Sequence, residues 1–460
     1  MLGTAFMLIT FTASAAGDLA AAANRIIDSA MAGREAYAVL QELTDTIGHR
    51  LSGSPQAAKA VEWGAAALRA RGIEHVRQEA IMVPHWVRGE ASFAMVAPAA
   101  HDLVGLALGG SIATPPDGIV APVIEVLSFE QLAALGDLVK GKIVLFNRPM
   151  PDLPEKFMAY GAAVPQRAKG AIEAAKLGAV AALVRSVGTA SYRLPHTGAM
   201  QYADQVPKIP AAALTAEDAD LIHRLLEKGH DVRVRMRMTC ELLPDVPSAN
   251  VVADWPGKDR PDEVVLIGGH LDSWDVGAGA IDDGAGVAVC IETLRLFKAL
   301  DLRPHRTIRA VLFMNEENGL RGGKGYAEQH RNELAKHVAA IESDSGAARP
   351  IGFGVTAGKG GIEQVSEWVP LFAPLGKLDL RDSGGGADIG PMRAAGVPMI
   401  ALRQDGTHYF DFHHTPADTL DKVDPRELEL NAAALAVMAY ALADSEQPLP
   451  RVPPAAASDD

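Results

Sequence analysis

The sequence predicts an α/β fold with a mostly parallel sheet held between helices, and three observations predict it. Short apolar runs at 264–267, 307–314 and 338–341 have the length and β-branched content of buried strands. A helical stretch at 284–300, with Val287, Ile291, Leu294 and Phe297 on one face, separates the first two. Each run then passes into a turn that carries carboxylates, the place where open α/β sheets present their ligand sites. With 460 residues, 48% of them hydrophobic, the chain can bury a core large enough for two or more domains.

The remaining elements follow in order. Residues 5–11 form an apolar run followed by Thr-Ala-Ser-Ala-Ala. This matches the end of a secretory signal cleaved near Ala15 or Ala16, so 1–16 are expected to be a signal peptide and the protein to be exported, periplasmic or secreted. The positive segment that normally precedes such a run is missing, which suggests a truncated start. Nothing else is apolar for long enough to span a bilayer. From 17 to 72 the pattern is helical, with Leu40, Leu43 and Ile47, then Val61, Ala65 and Leu68, at three- to four-residue spacing. His49, in the polar turn between these helices, has no acidic neighbour and reads as structural. Residues 78–97 read as strands.

From 99 to 245 the character changes, and no histidine clusters with an acid. A strand at 141–147, a helix at 168–177, a buried strand at 178–185 and a helix opened by Thr215-Ala216-Glu217-Asp218 make a self-contained insert. Residues 244–248 read as the linker back, and 250–254 and 264–267 as neighbouring strands. A helix at 427–443 closes the main domain, and the Pro-, Ala- and Asp-rich tail from Glu446 is expected to be disordered. The net charge of −14 speaks against nucleic acid or an anionic membrane as a general partner. The only two cysteines, Cys240 and Cys290, give neither a disulfide framework nor a thiolate metal site.

Four segments carry candidate chemistry. The first delivers His270 and Asp272, then a glycine-rich loop with Asp282 and Asp283. The second delivers Glu316 and Glu317, the third Asp344, and the fourth His413 and His414 ahead of Thr-Pro-Ala-Asp-Thr. Imidazoles gathered with carboxylates suit a hard-to-borderline divalent metal. One such segment alone reads equally as a solvated acidic loop, but four in succession at strand ends point to a metal site.

These residues resemble the M28 family of di-zinc peptidases and, within it, the carboxypeptidase Q group. The likeness is close in Gly-Gly-His-Leu-Asp-Ser-Trp-Asp-Val-Gly-x-Gly-Ala-x-Asp-Asp-Gly and in Glu-Ser-Asp-x-Gly. It covers both ends of the main domain and, more loosely, the insert. It implies a zinc-peptidase-like sandwich formed from 17–98 and 246–445, with 99–245 an inserted protease-associated (PA) domain, α/β or β-rich, acting as a lid or substrate-side wall. It implies two Zn2+ per chain, one held by His270 and Asp344, the other by Glu317 and His414, with Asp282 bridging both. His414 rather than His413 matches the family pattern His-[Ser/Thr]-x-x-[Asp/Glu]-Thr. A cis peptide after Asp282 is implied as well.

The chemistry agrees. Two zincs about 3.5–4 Å apart can share a carboxylate and a hydroxide and clamp a tetrahedral intermediate. Glu317 would ligate while Glu316, as general base, takes the water's proton and hands it to the leaving amine. Asp272 is expected either to accept the His270 imidazole N–H or to cap a turn. Asp388 supports the metal shell or caps a helix, and Ile389 stands where the family usually has a histidine. Trp274, Tyr409, Phe410 and Phe412 either wall the substrate pocket or pack in the core. The resemblance implies an exopeptidase for short peptides or dipeptides, and it allows a homodimer. Amino- and carboxypeptidases share these ligands, and Arg403 is the candidate clamp for a substrate carboxylate, or else a surface arginine. A glutaminyl cyclase-like acyltransferase with one zinc conflicts with the intact Asp344 and His414 segments and with the insert. A non-catalytic binding relative conflicts with the full ligand set.

Overall fold

The computed structural model describes residues 10–453, with side chains from residue 18 onward. Two eight-stranded sheets organise them. In the first, the strands lie in the order His75–Val87, Glu241–Trp255, Arg306–Phe313, Arg260–His270, His337–Glu342, Met399–Gln404, Pro350–Thr356, Asp379–Arg381. The four strands at its centre, from Arg306–Phe313 to Met399–Gln404, run parallel, and antiparallel partners flank them. The apolar runs are fully buried because both faces are covered. On one face lie the helices Glu35–Thr46, Ala285–Ala299 and Pro425–Asp444, which share one core with the sheet. The alanines of Pro425–Asp444 let it pack closely against Thr10–Ala32 and Ala285–Ala299. Tyr326 of Arg321–Gln329 packs on the opposite face. The fold class is the mixed α/β sandwich that the sequence predicts.

The second sheet has the order His101–Leu103, Ala91–Ala97, Arg233–Met238, Ile119–Val126, Ile143–Phe146, Ala181–Arg185, Ala211–Leu214, Gly105–Ala107. It carries its own cores on its two faces. Among its helices are Lys156–Lys176 and Ala216–Glu227, the latter capped by the Thr215 hydroxyl, which accepts from the Asp218 N–H at 3.4 Å.

Several sequence expectations are corrected. Ala91–Ala97 belongs to the second sheet, although it was grouped with the first domain. Residues 244–248 are not a free linker but part of Glu241–Trp255, paired along His75–Val87. Their prolines misled because this is an edge pairing, and Pro84 and Pro244 both fall where its register shifts. Strands 250–254 and 264–267 are not neighbours, since Arg306–Phe313 lies between them. The helix expected at 168–177 begins at Lys156, with Pro165 inside it hiding the first turns. The tail is ordered as far as the described residues run. Leu449 is buried, and the Arg451 guanidinium donates to the main-chain oxygens of Leu334, Ala335, His337 and Ala395. Residues 454–460, and 1–9 of the expected signal peptide, lie outside the described residues.

Candidate metal centre

The strand Arg260–His270 ends beneath the loop that begins with Ser273 and returns at Asp282. Gly269 is required there, since a Cβ on it would lie 2.6 Å from the Asp283 carboxylate. That carboxylate accepts from the His270 and Gly286 N–H groups, both at 3.0 Å, and so ties the strand end to the next helix. The Asp282–Asp283 peptide is cis, as the family resemblance implied.

Asp282 faces two clusters. Its Oδ1 lies 3.0 Å from His270 Nε2, which is itself 3.6 Å from Asp344 Oδ1. Its Oδ2 lies 3.2 Å from His414 Nε2, which is 3.1 Å from Glu317 Oε2. The four segments therefore converge on one carboxylate. Both imidazoles are oriented from behind by groups that only accept. His270 Nδ1–H donates to the Asp272 main-chain oxygen at 3.0 Å, and His414 Nδ1–H to the Thr197 main-chain oxygen at 3.3 Å. Each Nε2 is thus the nitrogen that faces Asp282, the one that would give up its proton to a metal. His413 also reaches Asp282 Oδ2, at 3.3 Å, and stacks on His414 with ring centroids 3.5 Å apart. Its Nδ1 is buried without a partner, so nothing fixes its tautomer in the same way.

The carboxylate of Asp272 does something other than orient His270, whose Nδ1 lies 3.9 Å from it. It accepts from the N–H groups of Asn315 and Glu316, at 2.7 and 3.0 Å, and from the Ser52 hydroxyl at 3.1 Å. It holds the turn that presents Glu316 and Glu317. Asp388 caps no helix. Both of its carboxylate oxygens are buried without a partner, beside the Glu342 carboxylate that accepts from the Asp388 and Ile389 N–H groups. Tyr409 and Phe410 line the cavity at the site, whereas Trp274 is buried edge-on to His414. Arg403 lies elsewhere, paired with Asp379 on another strand, and lines a different cavity.

Two further residues build the site. Arg50, fully buried beside His49, donates to the main-chain oxygens of Leu271, Ala278 and Gly279 and so clamps the loop that carries Asp282. Asp418 Oδ1 accepts from the Ala280 and Ile281 N–H groups at 2.8 Å. Its place in the last motif was a usable signal; Arg50 had none. The insert contributes too. The Thr197 N–H donates to the His414 main-chain oxygen at 2.9 Å, and His196 Nδ1 meets that of His413 at 2.8 Å.

The electrostatics match this crowding. Burial pushes the carboxyls of Glu316, Asp283 and Asp388 well above the usual range, and like charges add to it: Asp344, Glu317 and Asp388 around Glu316, Asp344 and Asp282 around Asp283, and Glu342 beside Asp388. Burial, with Asp282 adding, raises Glu317 to about 7; burial, with Asp344 adding, does the same to Glu342. Burial opposes a charged His270 and a charged His414. The acids around them outweigh it and hold both imidazoles well above their ordinary value. Among the described residues, no lysine or arginine lies within 4.0 Å of the carboxylates of Asp282, Asp283, Glu316, Glu317, Glu342, Asp344 or Asp388. The donor atoms of His270, Asp282 and Asp344, and those of Asp282, His413 and His414, lie within 4.8 Å of one another. Buried acids without cationic side chains, facing oriented imidazoles, fit bound divalent cations.

Residues 250–439 match the family model for peptidase family M28. Carboxypeptidase Q of Mus musculus is 42% identical over 432 residues, spanning 93% of this chain and 90% of that protein. The crystal structure of a peptidase M28 precursor from Shewanella amazonensis superposes with a TM-score of 0.93 at 39% identity, covering 95% of this chain and 99% of that one. BSAP, a zinc aminopeptidase from Bacillus subtilis, shares the fold at a TM-score of 0.66 and 21% identity, covering 90% and 95% of the two chains.

Proposed function

The chain belongs to peptidase family M28 and is a metallopeptidase, and from that premise we propose that it is a two-metal exopeptidase acting on short peptides. The observation that carries this reading is Asp282, whose two oxygens face separate imidazole–carboxylate pairs. His270 and Asp344 would hold one cation and Glu317 and His414 the other, with the Asp282 carboxylate between the two pairs. Imidazole and carboxylate donors favour zinc. Two such cations would polarise the scissile carbonyl and bring the pKa of water to about 7.

The protein's own groups do the rest. Glu316 lines the same cavity as four of the five proposed ligands, Asp282, Glu317, Asp344 and His414, and the Asp272 carboxylate fixes its main chain. It accepts the proton of the attacking water at its carboxylate and returns it to the departing amine. The second sheet is read as a protease-associated insert, whose residues 199–201 and Lys156–Lys176 helix line the same cavity. Export through cleavage of 1–16 belongs to the same reading. No helix among the described residues is long and apolar enough to cross a membrane.

Elemental analysis of the purified protein should find close to two zinc ions per chain. Glu316→Gln should keep them and lose roughly a thousand-fold in hydrolysis of dipeptides, within the range for a general base. Wild-type rates in that variant would remove Glu316 from the role, and one zinc per chain would favour single-metal chemistry instead.

A further inference from the structure

The two imidazole–carboxylate pairs that face Asp282 are supported from different places. His270 is fixed within the first sheet. Its main-chain N–H donates to the Asp283 carboxylate and its Nδ1–H to the Asp272 oxygen, both at 3.0 Å. The strand end that leads to Asp344 is tied to the same sheet, where the Ser343 N–H donates to the Gly268 oxygen at 2.9 Å. Among the described residues, no hydrogen bond joins His270 or Asp344 to the insert.

His414 is held from outside. Its φ is 61°, in the left-handed region that a residue with a Cβ keeps only where its surroundings impose it. The insert imposes it. The Thr197 N–H donates to the His414 main-chain oxygen at 2.9 Å, and the Thr197 oxygen accepts from the His414 Nδ1–H at 3.3 Å. One residue of the insert therefore fixes both the backbone and the ring. Its neighbour grips the preceding residue, since His196 Nδ1–H donates to the His413 oxygen at 2.8 Å. Burial pushes the His196 imidazole down to about 3, so it stays neutral, with the proton on Nδ1 and Nε2 buried without a partner.

Segment 196–198 is itself built into the second sheet. The His196 N–H donates to the Ser186 hydroxyl at 2.9 Å, and the Thr197 hydroxyl donates to the Ala107 oxygen at 3.0 Å. Arg167 Nη1 donates to the Thr197 oxygen at 3.4 Å from the other side. A Cβ on Gly188 would lie 2.2 Å from His196 Cε1, and one on Gly198, whose φ is 140°, would lie 2.4 Å from Arg167 Cζ. Both positions therefore have to be glycine for the segment to sit where it does. Glu317 is tied to the insert as well. Its Oε1 accepts from the Trp274 N–H at 3.2 Å, and the Trp274 ring packs in a core of the second sheet, where a Cβ on Gly109 would lie 1.9 Å from it.

We propose that His196 and Thr197 are positioning residues for the Glu317–His414 cation site, so that the insert sets the affinity of that site while the first sheet alone sets that of the His270–Asp344 site. This rests on the two-metal reading above and adds that the two cations are held unequally. It also gives the insert a part in assembling the metal centre, besides lining the cavity.

The experiment titrates zinc into the metal-stripped full chain by calorimetry, which reads stoichiometry and affinity together. His196→Leu, His196→Asn and Gly198→Ala are compared with wild type, each also in two single-site backgrounds. His270→Ala leaves the Glu317–His414 site, and His414→Ala leaves the other. His196→Leu should weaken one of the two zincs by about 10- to 100-fold, the usual loss when a group that orients a metal ligand is removed. The loss should recur in the His270→Ala background and be absent in His414→Ala. His196→Asn, whose amide nitrogen takes the place of Nδ1, should restore most of the affinity, which a side chain needed only for packing would not do. Gly198→Ala keeps every donor but displaces the Thr197 oxygen, and it should weaken the same zinc. Equal losses in the two backgrounds would overturn the proposal and leave the two-metal reading standing. So would affinities unchanged in both. A wild type that takes up one zinc would overturn both readings together.

Discussion

The metal-site end of the first sheet and the insert bury acids in opposite ways. In the first, Asp282, Glu317, Glu342 and Asp388 are buried, and no lysine or arginine pairs with them among the described residues. In the second, the buried acid Asp218 is matched by Arg193 at 2.9 and 3.0 Å, and Asp220 is matched by Arg185. The exception in the second sheet is a cation, Arg167, buried without an acid. Charge left unanswered inside a protein marks the place where something else supplies the answer. Here the unanswered acids and the unanswered arginine face one another across a single cavity. On the proposed reading, a metal centre would answer the acids.

The largest test of this contrast is Asp282→Asn. The side chain keeps its shape and loses the charge that both clusters share. Zinc content should fall below two per chain, and dipeptide hydrolysis should fall by roughly four orders of magnitude, as expected when a group common to a catalytic unit is removed. Elemental analysis beside a rate measurement decides it. Two tightly held zincs with normal turnover would remove Asp282 from the shared role proposed for it.

Asp272→Asn should cost less, about 10- to 100-fold, the usual penalty for a group that supports a site without reacting. Its carboxylate holds the Asn315–Glu316 turn, whereas the His270 imidazole is oriented by a main-chain oxygen. The loss should therefore appear in kcat with zinc affinity unchanged. A drop in zinc affinity at constant kcat would return Asp272 to the histidine-orienting role that the sequence suggested.

The same contrast explains what could be read from the chain. His270, Asp282, Glu316, Glu317, Asp344 and His414 each follow an apolar run or a glycine-rich turn, so strand periodicity places them at one sheet edge before any coordinates exist. The parallel centre of the first sheet and the helices at 285–299 and 425–444 were legible for the same reason. Arg50 was not, because a buried arginine in a polar turn looks like a solvated one until its three carbonyl partners are known. Arg167, Tyr160 and Thr197 were invisible for a different reason. They come from a helix and a loop of the insert, more than 70 residues from the nearest metal motif, and only tertiary packing brings them to the site. Arg403 reads from the sequence as a carboxylate clamp or a surface arginine, and its pairing with Asp379 is visible only in the fold.

The smallest effect concerns an unanswered acid away from the site. Glu429, 1% exposed on the helix Pro425–Asp444, accepts from the Tyr37 N–H at 3.2 Å, while its Oε2 is buried without a partner. Burial raises its carboxyl to about 7, with Glu292 adding repulsion that the Tyr37 N–H only partly offsets. In the unfolded chain its value is 4.5. Between about 4.5 and 7 the unfolded state releases a proton that the folded state retains, so this group lowers stability as pH rises through that window. Glu429→Gln removes the ionisation. Stability should be nearly unchanged at pH 5 and higher by on the order of 2 kcal/mol at pH 8, with dipeptide hydrolysis unaffected. Denaturant melts at the two pH values measure it. If Glu429→Gln instead destabilised the protein at pH 8, the folded state would favour the charged carboxylate and the direction of the shift would be reversed.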